Sequence, residues 1–143
     1  MTAGDILGVH HVKLPVTDMV RSRAWYERVF ALEPLQEWPD DDGIVRGVSY
    51  RAKGGLALAL REHPVVAKGI TGFDPLAIML RGRADIDFWV ARLQELGIAY
   101  EGPFEIPIGW MMAFSDPDGL QLRFYTLDEQ GRDPEGHVPR QAQ

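Results

Sequence analysis

The chain contains no cysteine, which removes disulfides, thiolate metal sites and cysteine nucleophiles together. It is also short of basic charge. Fifteen Lys and Arg stand against 21 Asp and Glu, a formal net charge of −6 at pH 7 that argues against nucleic acid as a partner. No apolar run approaches the ~18–20 residues of a membrane span. The opening Met-Thr-Ala-Gly-Asp lacks the basic and apolar stretches of a secretory signal, so a cytoplasmic location is expected. Neither dinucleotide nor P-loop glycine fingerprints occur, and no serine sits in a G-x-S-x-G elbow. What is present is an ordinary globular mixture. With 143 residues, 45% of them hydrophobic, the chain can bury a core without staples as one compact domain or two small modules.

Residues 9–16 (VHHVKLPV) alternate and predict a strand with Val12, Leu14 and Val16 on one face and His11, Lys13 and Pro15 on the other. Thr17 and Asp18 are helix N-cap types. After them Val20, Ala24, Trp25, Val29 and Leu32 recur at helical spacing, and Pro34 closes the helix. An irregular region follows, with Trp38 and a turn at Asp40-Asp41-Asp42-Gly43. Strands are predicted over 44–51 and 56–61, around Lys53-Gly54-Gly55. A loop over 63–73 leads to a strand over 75–81. Asp85 opens a second helix with Ile86, Trp89, Val90, Leu93 and Leu96 on its stripe and Gly97 at its C-cap. A short strand at 98–100, a loop over 101–109, and strands over 110–115 and 120–126 around Asp116-Pro117-Asp118-Gly119 complete the pattern. A polar tail occupies 128–143.

The elements read β-α-β-β-β twice, about 64 residues apart, a weak repeat in order with little residue identity. The expected fold class is α+β. Two tandem βαβββ modules, 6–63 and 73–127, would form one domain over 1–127, a cup-shaped mixed sheet with helices outside.

Two segments carry a family resemblance. His10-His11-Val12-Lys13-Leu14-Pro15-Val16-Thr17-Asp18, running into Arg23-Ala24-Trp25-Tyr26-Glu27-Arg28-Val29-Phe30, resembles the opening of the vicinal oxygen chelate superfamily of glyoxalases, bleomycin-resistance proteins and extradiol dioxygenases. Phe114 to Tyr125, with its Asp-Pro-Asp-Gly turn, resembles that family's closing hairpin. The resemblance implies four inward side chains at fixed strand positions, which in the metalloenzymes hold a divalent metal. On this chain they fall on His11, Ala59, Pro75 and Arg123. One donor survives, methyl and pyrrolidine groups cannot coordinate, and a guanidinium repels a cation at any working pH. No metal and no cofactor are therefore expected, with His11 the single match to a ligand position.

Strand parity supplies the expected cleft inventory: His11 and Lys13, then Ala57, Ala59 and Arg61, then Ala77 and Met79, then Gln121, Arg123 and Tyr125. Trp110 and Met111 join them from the neighbouring strand. Lys13, Arg61 and Arg123 form a cationic cluster, with Glu37 as a candidate internal partner of Arg123. The expected function is sequestration of an anionic or aromatic small molecule, similar to bleomycin-resistance proteins, held through Lys13, Arg61, Met79, Trp110, Met111, Gln121, Arg123 and Tyr125. The alternative is a glyoxalase-like lyase or isomerase, or a dioxygenase, with a rearranged site and His11 as its catalytic group. A homodimer is expected, with no nucleic-acid or membrane partner.

Overall fold

The computed structural model describes residues 2–107 and 109–126; the predicted tail at 128–143 lies outside the described residues. The α+β class and the doubled βαβββ order are both present. The element order is β1 (Val12–Val16), α1 (Met19–Val29), β2 (Pro34–Pro39), β3 (Val45–Arg51), β4 (Ala57–Glu62), α2 (Pro64–Gly69), β5 (Leu76–Leu80), α3 (Arg83–Glu95), β6 (Tyr100–Ile106), β7 (Gly109–Ser115) and β8 (Gln121–Thr126). The chain divides into two compact units after Gly69.

In the first unit the sheet order is β1-β4-β3-β2, with β1 parallel to β4 and the rest antiparallel. Alternation places Leu14, Val16, Val48, Tyr50, Leu58 and Leu60 in the core, where Met19, Tyr26 and Val29 of α1 meet them. Asp18 caps α1 by accepting the Arg21 amide at 3.0 Å. The helix rotates differently from the predicted stripe. Its buried face is Met19, Ser22, Tyr26 and Val29, while Val20 is 80% exposed and Ala24 lies outside. One carboxylate ties the helix to the sheet. Glu27 Oε1 accepts from Arg23 Nε at 3.2 Å and from the Tyr50 hydroxyl at 3.0 Å, and Arg23 also reaches Glu37 at 3.1 Å. Burial and the Glu27 hydrogen bond push the Tyr50 pKa up.

Three predicted boundaries change. The irregular region is strand β2, an edge strand whose six residues are all exposed, so it carries no alternating signal. The loop over 63–73 contains the short helix α2. The loop over 101–109 is largely β6, interrupted between Glu101 and Phe104 by a register shift at a cis Gly102–Pro103 bond.

The second unit repeats the arrangement as β5-β8-β7-β6, with β5 parallel to β8. Leu76, Met112, Phe114, Leu122 and Phe124 are buried, as are Ile86 and Leu93 of α3. That helix starts at Gly82 without a side-chain cap. Asp85 instead accepts from the Arg81 amide and guanidinium. The Asp116 side chain holds the closing turn, accepting the Asp118 and Leu120 amides at 2.9 Å each, and Gly119 supplies the positive φ of 79°. The offset of 64 residues holds through the ladders: Val12–Leu58 corresponds to Leu76–Leu122, and Ser49–Ala59 to Ala113–Arg123. Among the described residues, no helix is long and apolar enough to cross a membrane.

Candidate functional site

A cavity of about 740 Å³ lies on the face of the first sheet that turns away from α1. Its floor follows from the ladder. Ala59 stands level with Lys13 on one side and Ser49 on the other, and Ala57 stands level with Arg51. Arg61 stands level with Pro15 and with Gly47, and Gly47 with Trp38. The middle of this face is built from Ala, Ser and Gly, so the side chains leave space there.

Gly47 is required by its neighbour. A Cβ built on it would come 3.3 Å from Trp38 Cδ1 and 3.4 Å from Trp38 Cβ, tighter than ordinary carbon contacts. The absence of that carbon lets the indole lie against β3 in the ladder row that also holds Arg61. Trp38 lines the cavity and remains 56% exposed.

Charge on this face is of one sign. Lys13, Arg51 and Arg61 line the cavity, and none of their side chains has an ion pair or hydrogen bond among the described residues. Arg46, one residue off this parity, is occupied by Asp40 at 3.0 Å and by Glu62. The Ile44 amide and the Arg46 guanidinium hold the Asp40 carboxyl below its usual range. His11 and His10 both reach the cavity, exposed, with their Nδ1 atoms 2.9 Å apart, so one ring donates and the other accepts.

Of the residues expected from sequence, His11, Lys13 and Arg61 come together here, on the alanine floor that parity assigned. The remaining six lie in the second unit. Met79, Met111 and Tyr125 share one ladder row on the open face of that sheet, with Met79 58% exposed. Gln121 pairs with Ser115, and its amide donates to the Ser115 hydroxyl at 2.7 Å. Trp110 has the parity of buried Met112 and Phe114, on the helix side. The Arg83 guanidinium of α3 lies 4.1 Å from its ring centroid, so it does not share the face of Arg123.

The expected Glu37 partner of Arg123 is corrected. Glu37 is engaged by Arg23, and Arg123 pairs with Asp74 at 3.1 Å, both side chains 35% exposed. The Arg123 Nε is buried without a hydrogen-bond partner among the described residues. The guanidinium pKa stands above the ordinary arginine value, chiefly through the neighbouring Tyr125 hydroxyl and against the effect of burial, with the Asp74 and Glu101 charges adding to it.

Sequence reading missed Arg51, Ser49 and Trp38. Ser49 and Arg51 lie on β3, and Trp38 on β2, an edge strand whose exposed residues carry no period. The glycine in IVRGVSYR was the available signal, because a strand-interior glycine often marks a close approach of another group.

The donor set does not fit a divalent metal. Among the described residues no three His, Asp or Glu side chains are grouped to share an ion. Ala59 presents a methyl group and Arg123 a cation at two of the four positions the resemblance implies.

Comparison with known proteins agrees with the fold. The sequence profile described as "Glyoxalase/Bleomycin resistance protein/Dioxygenase superfamily" matches residues 8–124. A metallothiol transferase, FosB, of Bacillus licheniformis is 25% identical over 135 residues, 88% of this chain and 79% of that protein. The crystal structure of TnmS3, an antibiotic binding protein from Streptomyces sp. CB03234, is 29% identical with a TM-score of 0.69, covering 85% of this chain and 97% of that one. A glyoxylase/bleomycin resistance protein/dioxygenase domain from Frankia sp. EAN1pec has the same identity and TM-score, covering 86% and 99%.

Proposed function

The chain belongs to the glyoxalase/bleomycin resistance protein/dioxygenase superfamily, and from that premise we propose that it binds and sequesters an anionic aromatic small molecule on the open face of its first sheet. One observation carries the reading. Three cations, Lys13, Arg51 and Arg61, surround a floor of small residues beside the half-exposed Trp38 indole, and no anion of the described chain answers them. The cavity volume of about 740 Å³ falls within the usual range for small ligands. A charge-assisted contact contributes roughly 1.5–3 kcal/mol, with the lower end suited to exposed groups, and stacking on Trp38 adds about 0.5–1.5 kcal/mol. Likeness to an antibiotic binding protein supports a role in which binding alone is the effect.

The test uses 2-naphthoate and its uncharged analogue 2-naphthamide, followed by calorimetry. Binding of the acid should exceed that of the amide by about tenfold and should weaken by a similar factor in Lys13→Met or Arg61→Met. Equal binding of acid and amide, or binding of neither, overturns the reading. As part of this reading the protein is a homodimer. The end strand β1 leaves one side unpaired among the described residues, and light scattering should give twice the mass of one chain.

A second reading, a lyase, isomerase or dioxygenase using His11, rests on the His10–His11 pair at the cavity rim. Under the binding reading, zinc, nickel, manganese or chelator leave the melting temperature unchanged. A rise of several degrees with one metal, lost in His11→Ala, would favour the enzyme.

A further inference from the structure

We infer that the ligand of the first sheet is a dianion, with two acidic groups at opposite ends of a flat apolar frame; this rests on the binding reading above and narrows it. The ladder sets the spacing of the cations. Arg61 is level with Gly47 and Trp38, whereas Arg51 is level with Ala57. Ala57 and Arg61 are four residues apart on β4, roughly 13 Å at the usual strand rise. Lys13 stands level with Ala59, midway between them.

Between the two arginines the floor is Ala57, Ala59 and Ser49, all short side chains, flanked by Lys13 on one side and Gln36 on the other. None of the open-face positions of β1, β2, β3 or β4 is acidic, and Asp40 at the rim is bonded to Arg46. A mono-acid therefore answers one end of the slot and leaves the other cation facing an apolar group. Two cations this far apart lie about one Debye length from each other, so one anion does little for the second. A molecule with an acid at each end engages both arginines after a single loss of translational freedom. The frame between the acids is flat and apolar to lie over a floor of short side chains, with the Trp38 indole at the Arg61 end.

The experiment compares biphenyl-4,4′-dicarboxylate with biphenyl-4-carboxylate on the whole protein by calorimetry. The expected result is a diacid at least about tenfold tighter than the mono-acid, with an advantage that shrinks at high salt. Arg51→Met should lower diacid affinity by about tenfold and erase the diacid's advantage over the mono-acid, and Arg51→Lys should restore part of that advantage. The salt comparison on the unaltered chain stands even if a variant folds poorly. Equal affinities for diacid and mono-acid, or a diacid advantage that survives Arg51→Met, overturn this inference while mono-acid binding keeps the parent reading. Binding of neither acid overturns both.

Discussion

Replacing Gly47 separates what holds the sheet together from what the sheet binds. Alanine at this position puts its Cβ 3.3 Å from the indole Cδ1 and 3.4 Å from the indole Cβ, so the ring must give by a few tenths of an ångström. The backbone φ of Gly47 is not in the left-handed region, so no conformational strain is added. Removing a glycine from a strand interior returns about 0.5–1 kcal/mol of chain entropy. Trp38 is already 56% exposed, so its covered part is roughly 100 Å² of an aromatic side chain and its full release costs up to about 2–3 kcal/mol. Only a fraction of that contact is with Gly47. Gly47→Ala is therefore expected within about 1 kcal/mol of the parent in urea unfolding. Gly47→Val, whose branched side chain also suits a strand, forces the ring off β3 and is expected to lose no more than about 2 kcal/mol. Binding should respond differently. Both variants weaken 2-naphthoate, valine by about tenfold, because the stacking platform is displaced while Lys13 and Arg61 stay in place. Tryptophan quenching, with Trp38→Phe as the reference, reads the affinity. Unchanged affinity in a folded Gly47→Val protein would refute the assignment of Trp38 as a wall of the site.

Three further outcomes are expected. A double-mutant cycle of Arg123→Met and Asp74→Asn should give a coupling of about 0.5–1 kcal/mol by urea unfolding, with 2-naphthoate affinity unaltered; zero coupling would remove the ion pair from the stability of the second unit. Asp116→Ala leaves the Asp118 and Leu120 amides without their acceptor in a buried turn and should destabilise by about 2–3 kcal/mol, whereas a loss under about 0.5 kcal/mol would show that the backbone alone holds the hairpin. The Asp40 carboxyl is held below its unfolded value, so its contribution is present above about pH 4 and disappears as pH falls through the lower folded value. Asp40→Asn should therefore flatten the acid limb of stability below about pH 4, and an unchanged limb would refute the assignment.

Much of the fold was legible because one face of most strands is buried. VHHVKLPV, LALALR and LQLRFYT alternate cleanly, and the ladder gives Lys13, Arg61 and the alanines the shared face that this alternation implies. β2 was illegible for the same reason in reverse: an edge strand with both faces exposed and a proline at each end carries no period. β6 hid behind Gly102 and Pro103, residues that read as a loop when they make a bulge. The Arg123 partner needed a register that sequence does not contain. Asp74 lies just before β5, and only the parallel pairing of Leu76 with Leu122 brings it beside Arg123.

The constant offset between the two sheets bears on how such a chain diversifies. An unslipped offset through the inner ladders makes the two sheets copies of one pattern. The register is shared and the chemistry is not. Where the first copy has Lys13-Ala59-Ser49 across its open face, the second has Ala77-Arg123-Ala113; where the first has Arg61, the second has Tyr125. Among the described residues each strand pairing lies inside its own sheet, so a substitution in one leaves the ladder of the other untouched. One half can then be changed towards a new ligand while the ladder of the other stays intact. Exchanging residues at matched rungs, such as Ala59 with Arg123, becomes a rational way to move a binding preference from one half to the other.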